Sequence, residues 1–329
     1  MIKNIYFWLQ NARIQALPQS IMPAILAIGL AIPSPDFSWG LALLALMGVA
    51  VAHLGTNLLD DYFDYSKNTD VIVKQANPSK SPIRKGKCSY LLSGRISVRN
   101  LGWVIGLFFS LAFICGSIIF YFRGLNILYI ALVTFFLSYF YSGYPLRLSY
   151  HGWGEISIGI IFGPLLMSGV FYASCGNFTP ELGLVSLIVG MLVINILYIH
   201  SIMDCEADAF VNKKTLAVLI KNKKFQLAVA AIPLFSPFIL IVAGIYFHYV
   251  NYYYFLLFIL LPLAIRLYFL LIQYIKHPQH SYTPQWWMGP MEQWKAIKEA
   301  RIDQFMLRWF LARNICVFFC ILILIISFL

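Results

Sequence analysis

Nine long apolar runs are the feature of this sequence that most restricts its fold. Each approaches the roughly 20 residues that a helix needs to cross a hydrocarbon core of about 30 Å. The runs are 17–33, 39–59, 101–122, 125–141, 153–173, 182–202, 225–246, 252–274 and 305–328. Because 60% of the 329 residues are hydrophobic and only 11% are charged, a soluble core with a polar surface is excluded. The sequence therefore predicts a multi-pass membrane protein.

Helices are the structure expected for these runs, since lipid cannot satisfy exposed backbone groups and no alternating barrel pattern occurs. We predict an all-α fold of nine transmembrane helices in one bundle, with a cytoplasmic cap of inter-helix loops. Residues 1–329 are expected to form a single domain. The first run lacks a small-residue cleavage pattern, so we expect it to be retained rather than removed as a signal peptide.

The orientation in the cell (inner) membrane is predicted from the positions of Lys and Arg. With a cytoplasmic N-terminus, the inner segments are 1–16, 60–100, 142–152, 203–224 and 275–304. Of the 24 Lys and Arg residues, only Arg123 falls in a loop on the opposite side, where the C-terminus is also expected. The net charge of +11 is divided among several loops, which does not favour binding to nucleic acid.

A first cluster of polar residues follows the second apolar run. It comprises Asn57, Asp60, Asp61 and Asp64. Helical spacing places Asn57 near Asp61 and Asp61 near Asp64, where like charges repel and also oppose the helix dipole. The cluster therefore requires a metal ion or a cationic partner.

A second cluster follows the sixth run, with Asp204 and Asp208 one helical turn apart and Lys213 and Lys214 downstream. In the first cluster, hard oxygen ligands with no His or Cys beside them suit Mg²⁺, which keeps several waters and often bridges to phosphates. The two clusters together predict a site for Mg²⁺ and a diphosphate. The alternative is that each marks a solvated helix end at the membrane boundary.

Two further inner segments carry additional polar residues. The segment 60–100 contains four basic residues that are candidate diphosphate ligands, namely Lys80, Arg84, Lys85 and Lys87. The segment 277–301 contains Trp286, Trp287 and Trp294 before a short charged helix predicted at 292–301. Tryptophan beside basic residues is typical of the headgroup region, although a simple connector is an equal alternative.

Four motifs in order resemble the UbiA superfamily of intramembrane prenyltransferases. They are Ala12-Arg13 with Pro18 and Pro23, Asp60-Asp61-x-x-Asp64, Tyr141-Ser142-Gly143-Tyr144-Pro145-Leu146-Arg147, and Asp204-x3-Asp208 with Lys213-Lys214-Thr215. The resemblance is greatest to the branch that prenylates 1,4-dihydroxy-2-naphthoate. Asp60 and Asn68 depart from the first motif, in which the family has Asn and Asp, and Asp70 is a possible substitute for the last acid. His200 and Met203 stand where naphthoate enzymes often have Asn and Arg.

The resemblance implies a role for each matching residue. Mg²⁺ would be bound by Asp61, Asp64, Asp204 and Asp208 with Asn57, and Tyr141 would lie near the reacting carbon. The prenyl diphosphate would contact Asn57, Asp60, Arg13, Arg147, Lys213 and Lys214, and Arg84 is added to this set as a basic residue near the first cluster.

The function predicted is Mg²⁺-dependent transfer of a polyprenyl group from a polyprenyl diphosphate to an aromatic acceptor, with 1,4-dihydroxy-2-naphthoate preferred. Other acceptors stay open, including 4-hydroxybenzoate, another quinone precursor, chlorophyllide, a glycerol lipid or a sugar. A cation-coupled transporter or a lipid-binding protein is the alternative of another class. A soluble isoprenyl diphosphate synthase also has D-D-x-x-D, but nine spans exclude that fold. The tail length and the oligomeric state stay open.

Overall fold

The computed structural model of the protein describes residues 2–67, 88–210, 212–277, 280 and 282–329. These residues form helices connected by turns, and their only β-type pairing is an isolated bridge between His151 and Lys214. The prediction of an all-helical protein is confirmed.

The helices are numbered here along the chain. They are α1 Ile2–Asn11, α2 Pro18–Ala31, α3 Trp39–Lys67, α4 Ser89–Leu92, α5 Val98–Arg123, α6 Leu125–Ser142, α7 Gly154–Ile160, α8 Leu166–Cys175, α9 Pro180–Met203, α10 Cys205–Phe210, α11 Leu216–Leu219, α12 Lys223–Tyr246, α13 Leu261–Lys276, α14 Trp294–Glu299 and α15 Asp303–Ile326. A π-helical turn, Ile161–Leu165, joins α7 to α8, and the 3-10 segment Tyr252–Leu260 leads into α13.

Eight helical segments among the described residues are long and apolar enough to cross a membrane. They coincide with eight of the nine predicted spans. The remaining prediction, 17–33, corresponds to the shorter apolar helix α2 of 14 residues. Together these helices identify a multi-pass membrane protein.

The chain divides into two compact units, the first comprising Met1–Leu148 and Pro164–Gly183. In this unit α3 packs along α5 and α2 packs against α8. Glycines allow the first contact, since a Cβ on Gly55 would lie 3.1 Å from Phe108 Cβ and one on Gly48 would lie 3.2 Å from Cys115 Cβ. Small residues of this kind let membrane helices approach closely.

The second unit comprises Ser149–Gly163 and Leu184–Leu329. In this unit, Gly159 of α7 and Gly163 of the π-helical turn pack closely against α9, where a Cβ on Gly163 would lie only 2.6 Å from Gly190 Cα. In the same unit α13 and the 3-10 segment before it pack on α15. The organisation of residues 1–329 as one domain stays a prediction.

Candidate functional site

The acidic end of α3 is the most polar part of the first unit. The helix continues without a break through Asp60, Asp61 and Asp64 to Lys67, as the helical spacing argument assumed. Asp61 and Asp64 are almost completely buried, with 3% and 5% of their surface exposed. Buried carboxylates need a charged partner or hydrogen-bond donors, and for Asp61 the structure provides both.

Arg13 provides the positive charge. Its guanidinium group forms an ion pair with Asp61 and a second one with Asp60, at 3.4 Å between Nη1 and Oδ2. The backbone of Arg13 is in the left-handed region, with φ 59°, where the chain turns between α1 and the next helical turn. Burial lowers the pKa of Arg13, but the charges of Asp61 and Asp60 outweigh it and leave the pKa above its ordinary value. The guanidinium is therefore permanently charged.

Two hydroxyl groups also contact these carboxylates, and neither was predicted from the sequence. The Tyr90 hydroxyl donates to Asp61 Oδ2 at 3.2 Å, and the Ser142 hydroxyl donates to Asp60 Oδ1 at 2.5 Å. Burial, followed by the charge of Asp61, raises the pKa of Tyr90, so its hydroxyl stays a donor. Ser142 directly follows the predicted Tyr141, so its sequence position was a usable signal, whereas nothing in the sequence identified Tyr90.

Three other predicted residues of the first unit are described, namely Asn57, Tyr141 and Arg147. The side-chain nitrogen of Asn57 donates a hydrogen bond to the Ala12 carbonyl at 2.9 Å. The side-chain oxygen of Asn57 is therefore the atom that a metal would use. Tyr141 is half-buried in the last turn of α6. Arg147 stacks on the Tyr144 ring at 5.0 Å and donates to its hydroxyl at 3.3 Å.

Another intramembrane polar pair in the first unit was also missed. The Ser20 hydroxyl lies 2.7 Å from His53 Nδ1, one helical turn before Asn57 on α3. Ser20 is fully buried. A lone His in an apolar run gave no signal that distinguished it from a packing residue.

The second unit places Asp204 and Asp208 at the end of α9 and in α10. Asp204 N donates to His200 O at 3.0 Å and Asp208 N donates to Asp204 O at 2.8 Å, so two bonds of helical spacing link the motif across the turn between α9 and α10. The two side chains therefore lie on one face of the helix. Both are buried, with 6% and 1% of their surface exposed, and His200 Nε2 lies 3.7 Å from Asp204 Oδ2.

The basic residues after this motif follow a turn. Asn212 takes the left-handed conformation with φ 58°, which Asn tolerates better than most residues at a helix end. Lys213 N then donates to Asp208 O at 2.9 Å, and Lys213 Nζ lies 5.7 Å from the Tyr150 ring centroid. Lys214 is exposed.

Glu155 is a further buried carboxylate of this unit that the site prediction did not include. It is 3% exposed and accepts a hydrogen bond from the Ser201 hydroxyl at 2.5 Å. Ser201 lies one turn before the Asp204 motif, so this contact fixes the end of α9 to the start of α7.

Several predicted residues are not described by the structure. They are the predicted diphosphate ligand Arg84, together with Lys80, Lys85, Lys87, Asn68 and Asp70. They lie outside the described residues.

The donor chemistry of both motifs fits Mg²⁺. Among the described residues, no three His, Cys, Asp or Glu side chains form a metal-binding group by themselves. Mg²⁺ is usually held by one or two carboxylates plus waters and substrate phosphates. The buried pairs Asp61 with Asp64, and Asp204 with Asp208, provide ligands of that kind in each unit.

Comparison with known proteins agrees with the chemistry that these residues indicate. Residues 20–289 match the UbiA prenyltransferase family. The 2-carboxy-1,4-naphthoquinone phytyltransferase of Synechocystis sp. is 29% identical over 225 residues, 68% of either chain. The 1,4-dihydroxy-2-naphthoate octaprenyltransferase of Haemophilus influenzae is 26% identical over 230 residues, 66% of this chain and 70% of the relative.

Solved structures show the same fold. A UbiA homologue from Archaeoglobus fulgidus bound to GPP and Mg²⁺ is similar with a TM-score of 0.61 and 16% identity, over 93% of this chain and 99% of the homologue. A structure of digeranylgeranylglyceryl phosphate synthase has a TM-score of 0.62 and 16% identity, over 99% of both chains.

Proposed function

The chain belongs to the UbiA prenyltransferase family, and on that premise we propose that it transfers a polyprenyl group from a polyprenyl diphosphate to 1,4-dihydroxy-2-naphthoate. The observation that carries the proposal is the cluster at the end of α3, where Arg13 forms ion pairs with Asp60 and the buried Asp61. The choice of acceptor is supported by relatives whose names specify naphthoate or naphthoquinone substrates.

We assign Asp61 and Asp64 in the first unit, and Asp204 and Asp208 in the second, as Mg²⁺ ligands. Bound Mg²⁺ supplies Lewis acidity toward the diphosphate oxygens, on which negative charge accumulates as the allylic C–O bond breaks. Asn57 is assigned to the same role through its side-chain oxygen.

Positive side chains are assigned to the diphosphate. Fixed cations lower the barrier by stabilising charge that develops on the leaving group. Arg13 is one of them, because its guanidinium lies against Asp60 and Asp61 and stays protonated. Arg84, Arg147, Lys213 and Lys214 are assigned to the same task.

The allylic fragment left by C–O cleavage is an electrophile that must be shielded from water. The ring of Tyr141 would stabilise its positive charge by a cation–π interaction of about 0.5–2 kcal/mol. The electron-rich acceptor then forms the new C–C bond and loses the substituent of the attacked carbon, as a proton or, if that carbon carries the carboxylate, as carbon dioxide. A polyprenyl tail stays in lipid, at about 0.8 kcal/mol per buried CH₂.

We also propose the orientation inferred from the basic residues. The N-terminus and the ends of α3 and α9 would be cytoplasmic, and the C-terminus would lie on the opposite side of the cell membrane. This orientation gives the site access to soluble Mg²⁺ and to a polar acceptor.

The test is a transfer assay with the purified full chain in lipid nanodiscs. With a polyprenyl diphosphate, 1,4-dihydroxy-2-naphthoate and Mg²⁺, we expect a prenylated naphthalene product by mass spectrometry and stoichiometric pyrophosphate, both lost with EDTA. If product forms with 4-hydroxybenzoate or chlorophyllide and not with 1,4-dihydroxy-2-naphthoate, the proposed acceptor is wrong and that compound takes its place. Magnesium-dependent cation or lipid movement without pyrophosphate release would support a transporter and contradict the proposal.

A further inference from the structure

Arg308 is a buried charge in the last long helix that the proposed mechanism does not use. It lies in α15 with none of its surface exposed. No Asp or Glu in the described ranges forms a salt bridge with it. An ionisable side chain inside a membrane domain is costly and is usually retained for a function.

Three hydrogen bonds fix the orientation of the Arg308 guanidinium. Nε donates to the Leu270 carbonyl at 3.0 Å, and Nη1 donates to Gln304, to its carbonyl at 2.5 Å and to Oε1 at 3.1 Å. The guanidinium carbon lies 5.0 Å from the centroid of the Tyr274 ring. Arg308 is thus held by α13 and its own helix, and its planar group supports the ring of Tyr274.

Tyr274 connects this charge to the second carboxylate motif. Its hydroxyl donates to the carbonyl of Met203 at 3.4 Å. Met203 is the last residue of α9 and directly precedes Asp204, and carbonyl groups at a helix C-terminus lack partners within the helix. One turn earlier, the His200 ring packs edge-on against Phe305 at 5.0 Å. Helices α13 and α15 therefore both hold the end of α9.

We propose that Tyr274 and Arg308 are positioning residues that fix the end of α9, so that Asp204 is presented to Mg²⁺ in one orientation. The inference rests on the proposed function, because it takes Asp204 as a metal ligand. Arg308 acts through the ring of Tyr274, and Tyr274 acts through the carbonyl of Met203. Neither side chain touches the metal or the diphosphate in this scheme.

The test compares Tyr274→Phe with a matched control, Tyr268→Phe. Tyr268 lies on the same helix, and its ring packs on Phe235 at 5.7 Å. Both variants keep their rings, so we expect unchanged melting temperatures. We expect Tyr274→Phe to raise the Mg²⁺ concentration for half-maximal transfer by about two- to tenfold, as for one lost hydrogen bond, and Tyr268→Phe to leave it unchanged. Arg308→Lys keeps the charge but loses the planar group, so we expect a shift in the same direction.

An unchanged Mg²⁺ requirement in Tyr274→Phe, or an equal shift in Tyr268→Phe, would overturn the inference while transfer by the wild type still supported the proposed function. If the wild type transfers to no acceptor, the proposed function fails by itself. The inference is then tested by measuring the affinity of the protein for Mn²⁺, by electron paramagnetic resonance with inorganic pyrophosphate present. Equal affinity in the wild type and Tyr274→Phe, or no Mn²⁺ binding by the wild type, would overturn it.

Discussion

Arg13 offsets the repulsion between the aspartates at the end of α3. Adjacent aspartates at the end of α3 repel each other, and the sequence therefore required a metal or a cationic partner. The structure supplies Arg13 as that partner, from a turn about 47 positions earlier in the chain. Because the planar fork of a guanidinium matches the geometry of both carboxylates and phosphates, the same side chain suits both the substrate-free cluster and the proposed diphosphate.

Removing the charge of Asp61 should strongly lower the rate of transfer. Asp61→Asn keeps the size of the side chain but loses a Mg²⁺ ligand and a partner of Arg13, so we expect kcat to fall by about a hundredfold or more. Asp36→Asn removes an exposed carboxylate between α2 and α3 and should leave kcat unchanged. The measurement is product formation at saturating Mg²⁺, and full turnover by Asp61→Asn would contradict the assigned role.

The hydroxyl of Tyr90 should have a smaller effect. Tyr90→Phe removes one hydrogen bond to Asp61 and leaves the ring in place, which predicts a two- to tenfold lower kcat/KM, equivalent to about 0.5–1.5 kcal/mol. Tyr121→Phe is the control, since Tyr121 is 82% exposed. Equal activity of wild type and Tyr90→Phe at every Mg²⁺ concentration would show that this contact has no part in transfer.

At the level of elements, α3 combines a span with a functional end. Its 29 residues extend about 43 Å at 1.5 Å per residue, more than the roughly 30 Å of a hydrocarbon core. The excess carries Asp60, Asp61 and Asp64 beyond the apolar run.

The predicted helix at 292–301 is shorter in the structure, Trp294–Glu299, and its position at the headgroups stays a prediction.

The close contact of α9 with the π-helical turn predicts a strong effect of one methyl group. A Cβ on Gly163 would meet Ser186 O at 2.5 Å and Gly190 Cα at 2.6 Å, so Gly163→Ala should lower the free energy of unfolding by about 1–3 kcal/mol. In Gly102→Ala, on α5, the Cβ meets nothing within 4 Å, and no loss is expected. Thermal unfolding in detergent measures both, and equal stability of the two variants would refute this packing.

At the scale of the whole molecule, each compact unit contains one of the two carboxylate motifs. Asp60, Asp61 and Asp64 belong to the first unit, whereas Asp204 and Asp208 belong to the second. The motifs also follow spans of similar length in the sequence. This division agrees with the repeated pattern of a span followed by acidic residues.

The proposed orientation predicts opposite labelling of two exposed positions. In intact cells, a membrane-impermeant maleimide should label Asp36→Cys, on the expected outer side, and should not label Lys298→Cys until the cells are opened. Wild type is the control for its native cysteines, of which Cys205 is only partly buried. Labelling of Lys298→Cys in intact cells would reverse the orientation.

The sequence by itself determined that this protein lies in a lipid bilayer, that it is helical, and where its two acidic motifs fall. Apolar runs of fixed length and local helical spacing are properties of neighbouring residues, so they can be recognised without a fold. Only the tertiary structure decided that Arg13, Tyr90 and Ser142 surround the first motif and that Tyr274 holds the second. These contacts join residues tens of positions apart, and the packing of whole helices brings them together.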